Sequence, residues 1–207
     1  MDLDDTLYAE IDFLKSAYRY ISKKLSNNDD VLYDLMMRKF LKGEDVFNYL
    51  VEVYSVDKEI LLEWYRFHLP NITLYPGVDK FINYYSQSNT FSLVTDGRSK
   101  TQRNKINALG INSIFHNIVI SEEISSEKPS RANFEKAISG INSKNCFYIG
   151  DNVKKDFITP NKMGWTTICL EDSGENIHRQ DFNTSIEYLP TYRFNSWKEI
   201  NDSFDTL

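Results

Sequence analysis

The chain begins Met1-Asp2-Leu-Asp4-Asp-Thr6-Leu, a run in which carboxylates are set between apolar side chains. Ligands of an open parallel sheet bind at the carboxyl ends of its strands, so acidic residues that directly follow a strand are candidates for chemistry. A carboxylate at such a place can attack an electrophile or hold a divalent cation. On its own, a pair of aspartates near a chain terminus is most often a pair of solvated charges. The role of Asp2 and Asp4 therefore depends on what the rest of the sequence places beside them.

From residue 76 onward, short apolar runs alternate with amphipathic segments. Short runs that are rich in β-branched and aromatic side chains are typical of buried strands. Strands that alternate with helices form parallel sheets, so the pattern predicts an α/β fold. The predicted strands are Phe91–Thr95, Asn117–Ser121, Cys146–Gly150, Thr166–Leu170 and Ile186–Leu189.

Helix signals separate these predicted strands. A Ser-x-x-Gln capping box at residues 99–102 predicts the start of a helix that Gly110 ends. The pair Thr159-Pro160 predicts the N-cap and first residue of a helix that Gly164 ends. The polar stretch 171–184 contains no such signal, and we predict a surface loop there.

Residues 10–70 have a different pattern, with apolar side chains three and four positions apart. This spacing predicts amphipathic helices, and no strand-like alternation competes with it. Asp45 and Asp57 are suited to N-caps, and Pro70 is suited to ending the last helix. We therefore predict a segment of four helices before the α/β part of the chain.

Length and composition limit the classes of protein that need to be considered. A chain of 207 residues with 41% hydrophobic side chains forms one large domain or one domain with an insertion. The formal net charge of −6 argues against a nucleic-acid partner. No run approaches the roughly 20 apolar residues of a membrane span, and no leader pattern is seen, so we expect a cytoplasmic protein without a membrane partner. Cys146 and Cys169 lie in apolar runs and are expected to be reduced.

Three further positions carry polar residues suited to chemistry. Thr95 follows an apolar run directly, and Lys128 precedes a proline in a loop. Asp151 follows another apolar run, with Asp156 five residues later. A hydroxyl, an ammonium group and several carboxylates together are the groups needed to transfer a phosphoryl group.

Each of these groups has a definite physical use in such a transfer. Magnesium binds through one or two carboxylates together with substrate phosphate, and Asp2 and Asp151 are suited to holding it. Lys128 adds positive charge, and the Thr95 hydroxyl can donate to a phosphate oxygen. Asp4 is placed to protonate the leaving oxygen and later to take a proton from water.

Four motifs follow one another along the chain: the Asp2–Thr6 run, Thr95, Lys128 with its proline, and Asp151 with Asp156. In this order they resemble the haloacid dehalogenase superfamily, a large group of aspartate-nucleophile phosphohydrolases. The similarity continues through residues 75–78, 105–110, 128–134 and 163–168, and so covers essentially the whole chain. It implies a Rossmann-like parallel sheet core with an inserted four-helix cap. The core would comprise residues 1–8 and 72–207, and the α-helical cap residues 9–71.

The resemblance also implies a role for each matching residue. Asp2 matches the nucleophile, and Asp4 matches the general acid/base whose backbone carbonyl reaches Mg²⁺. Asp151 matches the remaining metal carboxylate. The implied phosphate-binding positions are Thr95, Asp96, Gly97 and Lys128, and the implied supporting positions are Thr6, Asn152 and Asp156.

Within this family, an acid at position 4 favours a phosphate ester over a carbon–halogen bond, because a halide leaving group needs no proton. The function that we expect is therefore Mg²⁺-dependent hydrolysis of a small phosphorylated metabolite, by a monomer or homodimer, through an aspartyl phosphate. One alternative is a catalytically impaired relative that binds a phosphorylated ligand or a protein partner. A phosphotransferase or mutase and a 2-haloacid dehalogenase are further alternatives.

The start of the sequence raises a separate question, because only Met1 precedes Asp2. In the family the nucleophile ends a central strand, and a strand normally has about five residues. We therefore expect the first core strand to be truncated. Either a few apolar residues precede Met1, or another segment or partner strand fills the gap, or the chain folds poorly and is inactive.

Overall fold

The computed structural model describes residues 1–143 and 145–207. Within these residues, five short strands form two parallel sheets. The first sheet pairs β1 (Ser92–Thr95) with β2 (Asn117–Ile120). In the second, β4 (Thr166–Leu170) lies between β3 (Phe147–Gly150) and β5 (Tyr192–Phe194). The predicted α/β fold with a parallel sheet is confirmed.

The first two residues of the chain lie between the two sheets. The amino group of Met1 donates to the carbonyl oxygen of Ser92 at 2.8 Å, and Val94 N–H donates to the Met1 carbonyl at 2.9 Å. On the other side, Asp2 N–H donates to the Ile149 carbonyl at 2.9 Å. The chain start is thus a short stub that hydrogen-bonds to β1 on one side and to β3 on the other. A cavity of 370 Å³ lies between the two strands, with Met1 and Ile149 in its lining.

Helices cover the strands and fill the core of the α/β part. Leu3, Leu7 and Tyr8, which follow the stub, are fully buried in this core. Trp197 is also buried, and its indole N–H donates to the Thr6 carbonyl at 2.7 Å. The helices are α5 (Val78–Tyr85), α6 (Ser99–Ala108), α7 (Ser121–Ile124), α8 (Arg131–Ala137), α9 (Ile158–Lys162) and α10 (Trp197–Ser203).

Residues 10–67 contain four helices, as predicted. They are α1 (Glu10–Leu25), α2 (Asp29–Leu41), α3 (Val46–Tyr54) and α4 (Lys58–Phe67). Asp45 caps α3 by accepting from Asn48 N–H at 2.9 Å, and Asp57 caps α4 by accepting from Glu59 N–H at 2.8 Å. The four helices share a hydrophobic cluster of their own, centred on Ile21, Met36, Leu50 and Leu61. In the described part of the chain, no helix is both long enough and apolar enough to cross a membrane.

The last strand differs from the sequence-based prediction. Residues Ile186–Tyr188 form a 3-10 helix, and β5 comprises Tyr192–Phe194 instead. Ile186 is 86% exposed, so the apolar run around it does not enter the core. Only after Pro190 does the chain return to the sheet, where Tyr192 pairs with Ile168.

Two predicted helix starts were also wrong in detail. Ser99 is the first residue of α6 and not its N-cap, and its hydroxyl donates to Glu123 at 2.5 Å. Thr159 lies inside α9, whose N-cap is Phe157, and its hydroxyl donates to the Pro129 carbonyl. In both cases the hydroxyl hydrogen-bonds to a residue distant in sequence instead of capping the helix. The predicted helix ends are confirmed: Gly110 and Gly164 follow α6 and α9 with φ of 71° and 76°.

Candidate active site

The polar residues singled out in the sequence meet at the carboxyl ends of the strands. Thr95 ends β1, Asp151 follows β3, and the Asp2–Thr6 loop leaves the stub between them. These loops enclose a cavity of 480 Å³. It is lined by Asp2, Asp4, Asp5, Glu10, Thr95, Asp96, Lys128, Asp151, Asn152, Val153, Lys154, Lys155, Ile177, His178, Arg179, Gln180 and Asp181.

At the floor of this cavity, one lysine contacts two aspartates. Lys128 Nζ lies 2.8 Å from Asp2 Oδ1 and 2.8 Å from Asp156 Oδ1. All three residues are buried, and Asp156 is completely inaccessible to solvent. Tyr148 adds its hydroxyl at 3.4 Å from both Lys128 and Asp156. The ammonium group is therefore held at a fixed point beside the carboxylate of Asp2.

Asp156 also fixes the backbone that follows β3. Its Oδ2 accepts from the N–H groups of Asp151 at 3.1 Å and Asn152 at 2.8 Å. This requires a very close approach to Gly150, since a Cβ built on that glycine would lie 2.5 Å from Asp156 Oδ2. Glycine is therefore required at position 150 for steric reasons.

We expect Gly150→Ala to destabilise the protein and to impair the site. The added methyl group displaces the Asp156 carboxylate from Lys128 and from two backbone donors. Overpacking of this kind costs about 1–3 kcal/mol, which a urea unfolding curve can measure. Turnover of an aryl phosphate is expected to fall at the same time.

A second glycine provides the control. Around Gly164 nothing lies within 4 Å of an added Cβ, although its φ of 76° makes Gly164→Ala strained. That variant is expected to lose about 1 kcal/mol of stability through backbone strain alone and to keep its turnover. If Gly150→Ala keeps full turnover as well, the close approach to Asp156 has no bearing on the site.

At the floor of the cavity, the negative charge of the carboxylates exceeds the positive charge of Lys128. Burial raises the pKa of Asp2 to about 7, and Lys128 only partly opposes this. Burial raises the pKa of Asp151 well above its usual range too, with Asp156 and Asp2 adding repulsion. For Lys128, burial lowers the pKa, but Asp156 and Asp2 more than compensate, so the pKa is raised and the ammonium stays charged. The floor thus has more carboxylates than one ammonium can balance.

This surplus of carboxylates fits a magnesium ion. One carboxylate oxygen from each of Asp2, Asp151 and Asp156 lies within 4.8 Å of the others. Asp156 already accepts from Lys128 and two backbone N–H groups, so Asp2 and Asp151 are the carboxylates with remaining acceptor capacity. Thr6 Oγ1 donates to Asp151 Oδ1 at 3.1 Å and orients it. Magnesium prefers oxygen ligands of this kind.

Asp4 lies at the rim and is held by residues that the sequence analysis did not select. Lys105 Nζ lies 2.7 Å from its Oδ1, and Gln102 Nε2 donates to its Oδ2 at 2.8 Å. Tyr8 donates its hydroxyl to Oδ1 as well. Burial raises the pKa of Asp4, but Lys105, Tyr8 and Gln102 overcome this and lower it overall. Lys105 was noted in the sequence only as part of a family-like run, and Gln102 only as part of a capping box.

Three further implied positions, two of them for phosphate binding and one supporting, make hydrogen bonds within the protein. The Asp96 carboxylate accepts from Lys128 N–H at 3.0 Å and from Lys155 Nζ at 2.9 Å, which holds the Lys128 loop in place. Gly97 N–H donates to Ser121 Oγ at 2.9 Å, and Gly97 does not line the cavity. Asn152 lines the cavity, while its N–H donates to Asp156.

The polar stretch 171–184 forms one wall of the cavity. Gln180 fixes this wall by donating through Nε2 to the carbonyls of Asp151 and Leu170, each at 2.8 Å. His178 and Arg179, which belong to no motif in the sequence, lie in the cavity lining beside it. The predicted surface loop is therefore also a wall of the candidate site.

Comparison with known proteins agrees with this geometry. The family model described as haloacid dehalogenase-like hydrolase matches residues 1–170. A glyceraldehyde 3-phosphate phosphatase of Methanocaldococcus jannaschii is 24% identical over 100% of this chain and 96% of its own length. One of Methanopyrus kandleri is 39% identical over 79 residues, which cover 37% of this chain and 34% of that protein. The crystal structure of the putative HAD-hydrolase YfnB from Bacillus subtilis, bound to magnesium, superposes with a TM-score of 0.68 at 22% identity. The superposition covers 97% of this chain and 95% of that one.

Proposed function

We propose a phosphatase activity from one premise: this chain belongs to the haloacid dehalogenase-like hydrolase family. The proposed reaction is hydrolysis of a phosphate monoester, with Asp2 as the nucleophile. The observation that supports it most directly is the floor of the cavity. There the Asp2 carboxylate lies 2.8 Å from a buried ammonium group, with a second acid, Asp4, at the rim.

In the first half of the reaction, an oxygen of Asp2 attacks phosphorus, and the bond from phosphorus to the leaving oxygen breaks. Asp4, whose pKa is lowered by Lys105, first takes up a proton and then gives it to that oxygen. Lys128 and the Thr95 hydroxyl donate to the other phosphate oxygens and offset the negative charge that repels the attacking carboxylate. The product that stays on the protein is an aspartyl phosphate at Asp2.

In the second half, water attacks the phosphorus of the aspartyl phosphate. Asp4, now a carboxylate, takes a proton from that water. The bond from phosphorus to the Asp2 oxygen breaks, which releases inorganic phosphate and restores both aspartates. When bound, Mg²⁺ supplies positive charge to a site that is otherwise dominated by carboxylates, and Asp2, Asp151 and the Asp4 backbone carbonyl would hold it.

We further propose that residues 9–71 act as a cap over a core formed by residues 1–8 and 72–207. Most buried side chains of the four helices form a hydrophobic cluster of their own, as expected for a unit with its own packing, while Phe13 of α1 and Tyr65 of α4 contact the cluster of the sheets. Glu10, the first residue of α1, lines the cavity, so the helical segment begins at the site itself. Such a cap would contribute to the choice of substrate.

The proposed substrate is a small phosphorylated metabolite. A cavity of 480 Å³ has room for a sugar phosphate or a triose phosphate. The name of the full-length relative, a glyceraldehyde 3-phosphate phosphatase, makes that compound the first to try. The test is phosphate release from a panel of glyceraldehyde 3-phosphate, sugar phosphates, phosphoglycolate and nucleotides, with Mg²⁺ and with EDTA. Release of phosphate that requires Mg²⁺ supports the proposal, and no release from any compound contradicts it.

The raised pKa of Asp2 predicts how pH affects the response to Mg²⁺. Its value is about 7 in the folded, metal-free protein, against about 3.9 for an unfolded chain. Between these values the folded state keeps a proton that the unfolded state has lost. Stability from this group is therefore present below about pH 4 and lost as the pH rises to about 7.

Magnesium needs the ionised carboxylate, so protons compete with it below about pH 7. We expect Mg²⁺ to raise the melting temperature more at about pH 8 than at about pH 6. Differential scanning fluorimetry with MgCl₂ or EDTA at each pH measures this. The difference between the two pH values should shrink in Asp2→Asn. An equal rise at both pH values in the unchanged protein would contradict the assignment of Asp2 as a metal ligand.

A further inference from the structure

Asp4 lines the cavity, yet three side chains hydrogen-bond to its carboxylate. Both of its carboxylate oxygens accept hydrogen bonds from side chains, Oδ1 from Lys105 and Tyr8, and Oδ2 from Gln102. Gln102 and Lys105 lie three residues apart on α6, so they share one face of that helix. Both are buried, and the Lys105 ammonium lies 4.5 Å from the centre of the Phe13 ring. These contacts leave the carboxylate little freedom to rotate.

Gln102 also contacts the phosphate-binding side of the site. Its Nε2 donates to Thr95 Oγ1 at 2.5 Å as well as to Asp4 Oδ2. An ionised carboxylate can only accept, so the amide nitrogen, and not the amide oxygen, must face Asp4. Thr95 has one hydroxyl hydrogen, and since its oxygen accepts from Gln102, that hydrogen is available to an acceptor in the cavity.

We propose that Gln102 and Lys105 are positioning residues for the reaction. Lys105 holds the Asp4 carboxylate where the leaving oxygen is protonated. Gln102 holds Asp4 too, and in addition directs the Thr95 hydroxyl hydrogen to the phosphate. The inference depends on the proposed phosphatase function. It predicts that both residues affect protonation of the leaving group, and that only Gln102 also affects phosphate binding.

The effect on protonation can be measured by itself, because leaving groups differ in their need for a proton. 4-Nitrophenolate leaves readily without one, whereas phenolate depends on the acid. Misplacing a catalytic group by about 1 Å can cost about 100-fold in rate. We therefore expect Lys105→Met to lower kcat about 10- to 100-fold for phenyl phosphate, and much less for 4-nitrophenyl phosphate. Inhibition by inorganic phosphate should be unchanged, because Thr95 keeps its partner.

Gln102→Leu is expected to differ in one respect. Like Lys105→Met, it should lower kcat for phenyl phosphate more than for 4-nitrophenyl phosphate. In addition, its inhibition constant for inorganic phosphate should rise by about tenfold, for the loss of one charge-assisted contact. Lys100→Met is the matched control, since Lys100 is an exposed lysine on the same helix, and it should change neither quantity. Lys105→Arg, which keeps the charge, should recover part of the turnover of phenyl phosphate.

The outcomes distinguish this inference from the proposed function. If the unchanged protein with Mg²⁺ releases phosphate neither from the aryl phosphates nor from the metabolite panel, the phosphatase proposal fails. If it is active but both variants lose the same factor on both leaving groups, the positioning role of Gln102 and Lys105 is overturned. Should Lys105→Met fail to fold by thermal unfolding, Gln102→Leu still decides, because its two expected changes do not depend on that variant.

Discussion

Asp2→Asn is expected to lower the turnover of 4-nitrophenyl phosphate at least about 10⁴-fold, the size of loss seen when a nucleophile is removed. An amide nitrogen or oxygen cannot form the aspartyl phosphate, so no rearrangement of the site restores the route. Asp4→Asn is expected to lose about 10²- to 10⁴-fold on phenyl phosphate, as is usual for a general acid, and less on 4-nitrophenyl phosphate, whose leaving group needs no proton. Steady-state kinetics with Mg²⁺ at saturating substrate measures both losses.

The control for these variants is Asp57→Asn. Asp57 caps α4 and does not line the cavity, and asparagine is an equally good N-cap. Its turnover should match that of the unchanged protein. Circular dichroism tests whether each variant remains folded, and Asp2→Asn is expected to do so because its side chain keeps nearly the same volume. Near-normal turnover in Asp2→Asn would refute the nucleophile assignment.

Asp156→Ala is expected to have the largest effect on stability. The change removes the acceptor for Lys128 and for the N–H groups of Asp151 and Asn152, all in a region closed to solvent. Removing one partner of a buried ion pair costs about 3–5 kcal/mol, because the other charge is left buried without compensation. Urea unfolding followed by tryptophan fluorescence measures the loss.

An exposed ion pair gives the comparison. Lys162 and Glu187 lie 3.3 Å apart, with side chains that are 57% and 49% exposed. Glu187→Ala removes the same kind of contact from the surface, and we expect it to cost less than about 1 kcal/mol. If the two variants lose similar amounts, the Asp156 network contributes no more than a surface contact does.

The sequence was most informative where function depends on a position directly after a strand. Thr95 and Asp151 could be selected because an apolar run precedes each of them, and the chain start, which hydrogen-bonds to both β1 and β3, brings the ends of those runs together. Ile186 was misassigned to a strand by the same rule. A short run that contains apolar residues is not enough to predict burial, and the run that begins at Ile186 lies on the surface.

Gln102 and Lys105 could not be selected in this way. They lie inside a helix, and their partner Asp4 is 98 and 101 residues away in sequence. One weak signal was available, since two polar residues share a helix face that also carries the buried Ile106. The same holds for Gln180, whose two carbonyl partners depend on how the loop folds back over the strands.

The hydrogen bond from Trp197 to Thr6 connects the C-terminal helix to the loop that carries Asp4. The indole is buried and lies against Phe81, so its surroundings depend on the position of that loop and little on solvent. Trp197 is therefore a natural optical reporter, built into the chain without any label. A ligand that shifts the Asp2–Thr6 loop changes the environment of this indole. With Trp64 and Trp165 replaced by phenylalanine, the fluorescence of Trp197 should follow binding in variants that no longer turn over.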